Sequence, residues 1–128
     1  MKQNTLLRLA VAAMTVIAVE RAGASSAVAV DPQFHITRAY DPFASEQAAR
    51  RAALDLAVHH GWLGARIVAS SGRSGYCAIA LAYKRVGTGA VMGVSLGKPT
   101  QAEADQRAID SCIKAGGYIP KVYARFQG

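Results

Sequence analysis

The chain has 128 residues, of which 15 are Lys or Arg and 8 are Asp or Glu, for a formal charge of +7 at neutral pH. With 52% hydrophobic and 18% charged residues it is too apolar for a disordered chain, and its length fits one domain rather than a multidomain enzyme. Two cysteines are too few for a disulfide-dense scaffold, and no apolar run reaches the roughly 20 residues of a spanning helix.

Lys2 and Arg8 precede the apolar stretch Leu9 to Val19, and the small residues Ala22-Gly23-Ala24 follow. This is the order of a secretory signal peptide, expected over residues 1–24, with an alternative cut after Ala27-Val28-Ala29. The expected product, residues 25–128, is a single domain that is periplasmic or secreted, with no membrane span. It keeps 12 basic and 7 acidic side chains. No run of Lys or Arg exceeds two residues, which argues against nucleic acid, while the mild positive charge suits an anionic partner such as an envelope polymer. The sequence does not specify an oligomeric state.

The first strand is expected over Ser26 to Val30, with a turn at Asp31-Pro32-Gln33 and a second strand over Phe34 to Tyr40. A helix capped by Ser45, or starting as early as Asp41-Pro42, carries Ala49, Ala53, Leu54 and Ala57 on one stripe and stops at Gly61; a strand follows from Ala65 to Ser70. Tyr76 to Arg85 and Ala90 to Leu96 form a hairpin across Val86-Gly87-Thr88-Gly89. Thr100 and Glu103 then have capping-box spacing, Ala104, Ala108, Ile109, Cys112 and Ala115 make the next stripe, and Gly116-Gly117 ends it. The last strand, Lys121 to Phe126, places Val122, Ala124 and Phe126 on one face and Lys121, Tyr123 and Arg125 on the other.

An offset of 55 positions aligns Ala49, Ala53, Leu54, Asp55, Val58, Gly61, Arg66 and Ala69 with Ala104, Ala108, Ile109, Asp110, Ile113, Gly116, Lys121 and Ala124. The chain therefore reads as two repeats, about 26–70 and 75–126. The expected fold is α+β: a mainly antiparallel sheet of five to six strands, two helices packed on one face, in pseudo-duplicated strand-strand-helix-strand units. Cutting after Ala24 preserves the first strand, whereas cutting after Ala29 removes it.

Alternation places Cys77 with Ile79, Leu81 and Tyr83, facing the helices, and Cys112 lies on the inward stripe of the second helix. In an oxidising compartment this predicts a Cys77–Cys112 disulfide, whose 35-residue loop would contribute roughly 4 kcal/mol on the chain-entropy model. No cofactor, metal or catalytic set is expected. His59 and His60 diverge by about 100° on a helix and cannot share an ion with His35 without strain. Ser70-Ser71-Gly72-Arg73-Ser74-Gly75 lacks the spacing of a nucleophile elbow and reads as the linker between repeats. Gly87-Thr88-Gly89 precedes a strand rather than a helix, so it is a turn and not a phosphate loop. Trp62 and Tyr118 follow the helix-stop glycines, where they either pack back on the helix ends or offer a contact surface. Lys121, Tyr123 and Arg125, joined by Arg66 and Lys84, form a basic and aromatic stripe that is either a binding surface or a solvated face.

Tyr76-Cys77-Ala78-Ile79-Ala80-Leu81-Ala82-Tyr83, Gly93-Val94-Ser95, Thr100-Gln101-Ala102-Glu103-Ala104 leading to Ala108 and Cys112, and Lys121-Val122 together resemble the exported bacterial family called domain of unknown function 4189. The resemblance covers about residues 75–126, with a diverged copy over 26–70. It implies a secreted or periplasmic module with no assigned catalytic residues. Ile119-Pro120 stands where that family carries a cysteine, so its local disulfide is lost here and Cys77 is left as the partner of Cys112. The expected function is that of an exported, non-enzymatic binding module contacting another protein or an envelope component, an immunity or inhibitor protein being one form. The alternatives are a small enzyme acting on envelope polymer through His59 or His60 and a carboxylate, and a secreted effector acting on host cells.

Overall fold

A computed structural model of the chain describes residues 25–40 and 45–128; the leader assigned to residues 1–24 and the early helix start at residues 41–42 lie outside them. The elements are β1 (Ser26–Val30), β2 (Ile36–Tyr40), α1 (Glu46–His59), β3 (Arg66–Ser71), β4 (Tyr76–Lys84), β5 (Ala90–Lys98), α2 (Gln101–Lys114) and β6 (Gly117–Gln127). The class is α+β, with two helices and six antiparallel strands in two copies of one unit.

Both helices begin for the same reason. Ser45 and Thr100 sit in extended backbone, and their hydroxyls accept from the amides of Ala48 and Glu103 at 3.0 and 3.1 Å. The Glu103 carboxylate, however, turns to Arg107 at 3.8 Å rather than back to the cap. Gly61 and Gly116 stop the helices at φ of +75° and +98°, a conformation that disfavours a side chain.

The strands hydrogen-bond as two sheets of three, β2-β1-β3 and β5-β4-β6, rather than as one ladder. Each sheet carries its own helix. On the first, Ala27, Ala29 and Ala39 meet Ala49 and Ala53 of α1; on the second, Ala78 and Ala80 meet Ala104, Ala108 and Cys112 of α2. The opposite faces hold the larger side chains, and there Val28, Ile36 and Val68 of one sheet meet Cys77, Ile79, Met92, Val94 and Phe126 of the other. The layers therefore run helix, sheet, sheet, helix. Alanines line the outer interfaces because a helix backbone approaches a sheet closely only over small side chains. Branched and aromatic residues fill the wider gap between sheets. The approach is closest at Gly93, where a methyl group would stand 2.0 Å from the Ala108 carbonyl oxygen and 2.4 Å from the Cys112 amide.

This layering corrects the cysteine assignment. Cys77 faces the other sheet, 3.9 Å from Ser26 Oγ, whereas Cys112 lies under α2 and donates to the Val91 carbonyl at 3.7 Å. Both are buried free thiols on opposite faces of the second sheet, so the Cys77–Cys112 disulfide does not form. The alternation was legible, but both sides of β4 are buried, and large residues point to the other sheet and not to the helix.

Burial raises the pKa of both thiols. Folded protein should therefore resist iodoacetamide, and unfolding without reductant should release two reactive thiols; protection that persists in denaturant would contradict the free-thiol structure. Gly93→Ala should lower unfolding free energy by about 3 kcal/mol or more, because its methyl group meets helix backbone. Chemical denaturation measures this, and a near-neutral result would contradict the close helix contact.

Candidate functional site

The two sheets differ in length. β1 to β3 have five to six residues, whereas β4, β5 and β6 have nine, nine and eleven. The surplus end of the β4/β6 ladder carries Tyr83, Tyr118 and Ile119, which are 80%, 50% and 66% exposed, and Tyr123, 63% exposed, lies further along β6. Tyr83 and Tyr118 are direct cross-strand neighbours, and the Arg85 guanidinium stacks 4.5 Å above the Tyr118 ring.

Backbone irregularity shapes this end. Ile119 has φ of +52°, a rare conformation for a β-branched residue, and it stands directly before Pro120. Register slips between Leu81 and Tyr83, and again between Ile79 and Ala80. The second slip leaves Tyr123 as an extra residue between Val122, paired with Ala80, and Ala124, paired with Ile79. Val122 consequently packs on the α2 side and Ala124 on the inter-sheet side.

The bulge also splits the stripe read from the sequence. Lys121 pairs with Leu81 on the inter-sheet face, whereas Arg125 pairs with Ala78 on the helix face and reaches Asp105 of α2 at 2.9 Å. Strict alternation cannot hold across an inserted residue. Lys84, Tyr118 and Lys121 lie toward one end of the second sheet, Tyr123 lies opposite the middle of β4, and Arg66 lies on edge strand β3 of the first. Tyr83, Arg85 and Ile119 complete the exposed end and were missed. Alternation had assigned Tyr83 to a buried face, and positive φ has no periodic signal.

A second cluster forms where β1 turns into β2. Asp31 is buried, and its Oδ1 accepts from the backbone amides of His35 at 2.6 Å and Gln33 at 3.1 Å; His35 Nδ1 donates to its Oδ2 at 2.8 Å. The His35 ring stacks on Trp62 with centroids 4.5 Å apart, and His60 stacks at 4.6 Å. His60 Nδ1 donates to the Leu56 carbonyl at 2.9 Å, a favourable place for imidazole at a helix C-terminus. Trp62 thus packs back on the end of α1, sandwiched between two imidazoles. Among the described residues the carboxylate–imidazole pair is Asp31–His35, not one involving His59 or His60; its only sequence signal is the Asp-x-x-x-His spacing across a turn.

In the linker, Ser70 donates to Glu46 and accepts from Arg50, and Ser71 Oγ accepts from the Arg73 amide at 3.0 Å. Those hydroxyls are engaged in structure. Among the described residues no three His, Cys, Asp or Glu side chains gather to hold a metal, and no helix is long and apolar enough to cross a membrane. No family model, curated protein or solved structure matches the chain.

Burial pushes the Asp31 carboxyl up, but the His35 hydrogen bonds and charge, with the Gln33 amide, outweigh it and hold the group below the ordinary carboxylate range. The ionised group therefore stabilises the fold above the unfolded carboxyl pKa of about 4, and that contribution disappears as pH falls through the lower folded value. Asp31→Asn should flatten the acid limb of a stability–pH profile below about pH 4, read from thermal melts. Parallel wild-type and variant limbs would refute this assignment.

Proposed function

We propose that the protein is an exported, non-enzymatic binding module that meets an acidic protein surface through the exposed end of the β4/β6 ladder. The observation that carries this reading is Ile119: a β-branched residue held at φ +52° and two-thirds exposed, between Tyr118 and Pro120. Such strain costs about 1–3 kcal/mol and gathers at sites of function. Around it, exposed tyrosines form the apolar centre and Lys84, Arg85 and Lys121 the cationic rim of an interface. Three cations fit an acidic protein patch better than a polyanion, which calls for a denser basic surface. An immunity or inhibitor protein directed at a wall-degrading toxin is one form of this role, and a secreted effector could use the same surface.

Export also agrees with the position of β1. It is the central strand of the first sheet and its residues are buried, so a cut after Ala24 spares it and a cut after Ala29 removes most of it. What favours binding over an enzyme built on His59 or His60 is that His60 is bonded to the Leu56 carbonyl and stacked on Trp62.

Ile119→Gly should raise stability by about 1 kcal/mol by relieving the backbone, yet weaken the partner. Wild-type protein, Ile119→Gly and a Tyr83→Ala/Tyr118→Ala variant would each be used to capture proteins from an envelope extract. A protein held by the wild type, lost with both variants and rebound in purified form supports the proposal; identical capture by all three, or none by any, overturns it.

A further inference from the structure

On the β2/β6 side, the gap between the sheets is closed: Tyr40 packs on Phe126 at 4.9 Å and the Arg38 guanidinium lies 5.5 Å over the same ring. On the other side β3 and β5 meet where Gly97 lies against Ser71 and Arg73, and their opposite ends, Arg66 to Ala69 and Ala90 to Val94, border a cleft of about 540 Å³, within the roughly 300–1,000 Å³ of small-molecule sites. Its walls come from both halves, with Val68 on β3 and Met92 and Val94 on β5, and Phe34 stands in the lining. The same three wall residues face the inter-sheet core, and Val91, Ser111 and Ala115 carry the lining over the edge of β5 to α2, so the cleft borders that core and opens outward.

Two features show that the opening is built. Phe34 has φ of +68°, and its turn is held by the Asp31 carboxylate and by Phe34 N–H donating to the Asp31 carbonyl at 2.9 Å. Arg66 lines the cleft, is exposed, and has no carboxylate within ion-pair distance among the described residues. Asp31 also lines it, but its side chain is only 2% exposed and both oxygens are engaged by its own turn. The charge offered to a ligand is therefore the guanidinium alone.

We propose that this cleft binds an amphipathic carboxylate, a medium-chain fatty acid, with its chain along Val68, Met92 and Val94 and its head on Arg66. A planar guanidinium matches a carboxylate through two parallel N–H donors, and the apolar walls accept a hydrocarbon chain. The site is distinct from the tyrosine-rich end of the second sheet, and its test does not depend on the partner proposed there.

Calorimetric titration of the full chain with decanoate should reveal a single saturable site. Arg66→Gln should weaken decanoate about tenfold or more, through loss of a charge-assisted bond, while decanol, bound weakly, should be indifferent to that change. Met92→Trp should fill the cleft and abolish both. If that variant does not fold, a spin-labelled fatty acid should broaden NMR signals of Val68, Met92 and Val94 in the wild type. No saturation by decanoate, equal affinity in Arg66→Gln, or broadening centred on Tyr83 and Tyr118 would overturn the proposal.

Discussion

The architecture depends on how closely each helix lies on its own sheet. Over the second sheet the contact is backbone against backbone, with the Gly93 Cα facing the Ala108 carbonyl and the Cys112 amide. Over the first, the Thr37 hydroxyl donates to the Ala53 carbonyl at 2.8 Å, the equivalent helix position. So intimate a seam is lined at its centre mainly by alanines, with Gly93 and Cys112, and such side chains bury little apolar area each. The larger contribution falls to the opposite faces, where Val28, Ile79 and Phe126 and their neighbours bury one sheet against the other. Each repeat alone would expose that second face. The two units form one domain because neither can cover its own larger residues.

This division also explains the two buried thiols. Cys112 is tolerated in the helix seam because it is small, and Cys77 fits between the sheets beside Ser26. The two are not bonded to each other, and burial makes both poor nucleophiles. Stability comes from packing two pseudo-equivalent units rather than from a crosslink.

Both proposed sites lie where the two units differ in strand length or side-chain size. The second unit has longer strands, and its surplus end exposes tyrosines around a strained Ile119. The first unit has a tight Asp31 turn that holds Phe34 in a left-handed conformation beside the inter-sheet cleft. Packing between the units accounts for the residues that the repeats share. Under the repeat offset Phe34 falls on Gly89 (φ +103°) and Ile119 on Gly64 (φ +79°), so positive φ belongs to both units, and what differs is a bulky side chain where the other unit has glycine.

Local pattern alone was enough for the α+β class, both helices with their caps and stops, and the strand-strand-helix-strand succession of each unit. These follow from local rules: Ser45 and Thr100 cap through bonds to nearby amides, Gly61 and Gly116 end helices through their own φ, and alternation marks strands. Which buried face meets which partner was settled by the packing of distant segments. Period-two alternation separates the alanines of β4 from Cys77, Ile79 and Leu81, but it does not say which side faces a helix when both are covered. It was likewise silent on the bulge at Tyr123, which parts Lys121 from Arg125, and on the pairing of Asp31 with His35 beneath Trp62. Faces, bulges and stacked clusters depend on contacts between segments far apart in the chain, and a repeating local pattern does not encode them.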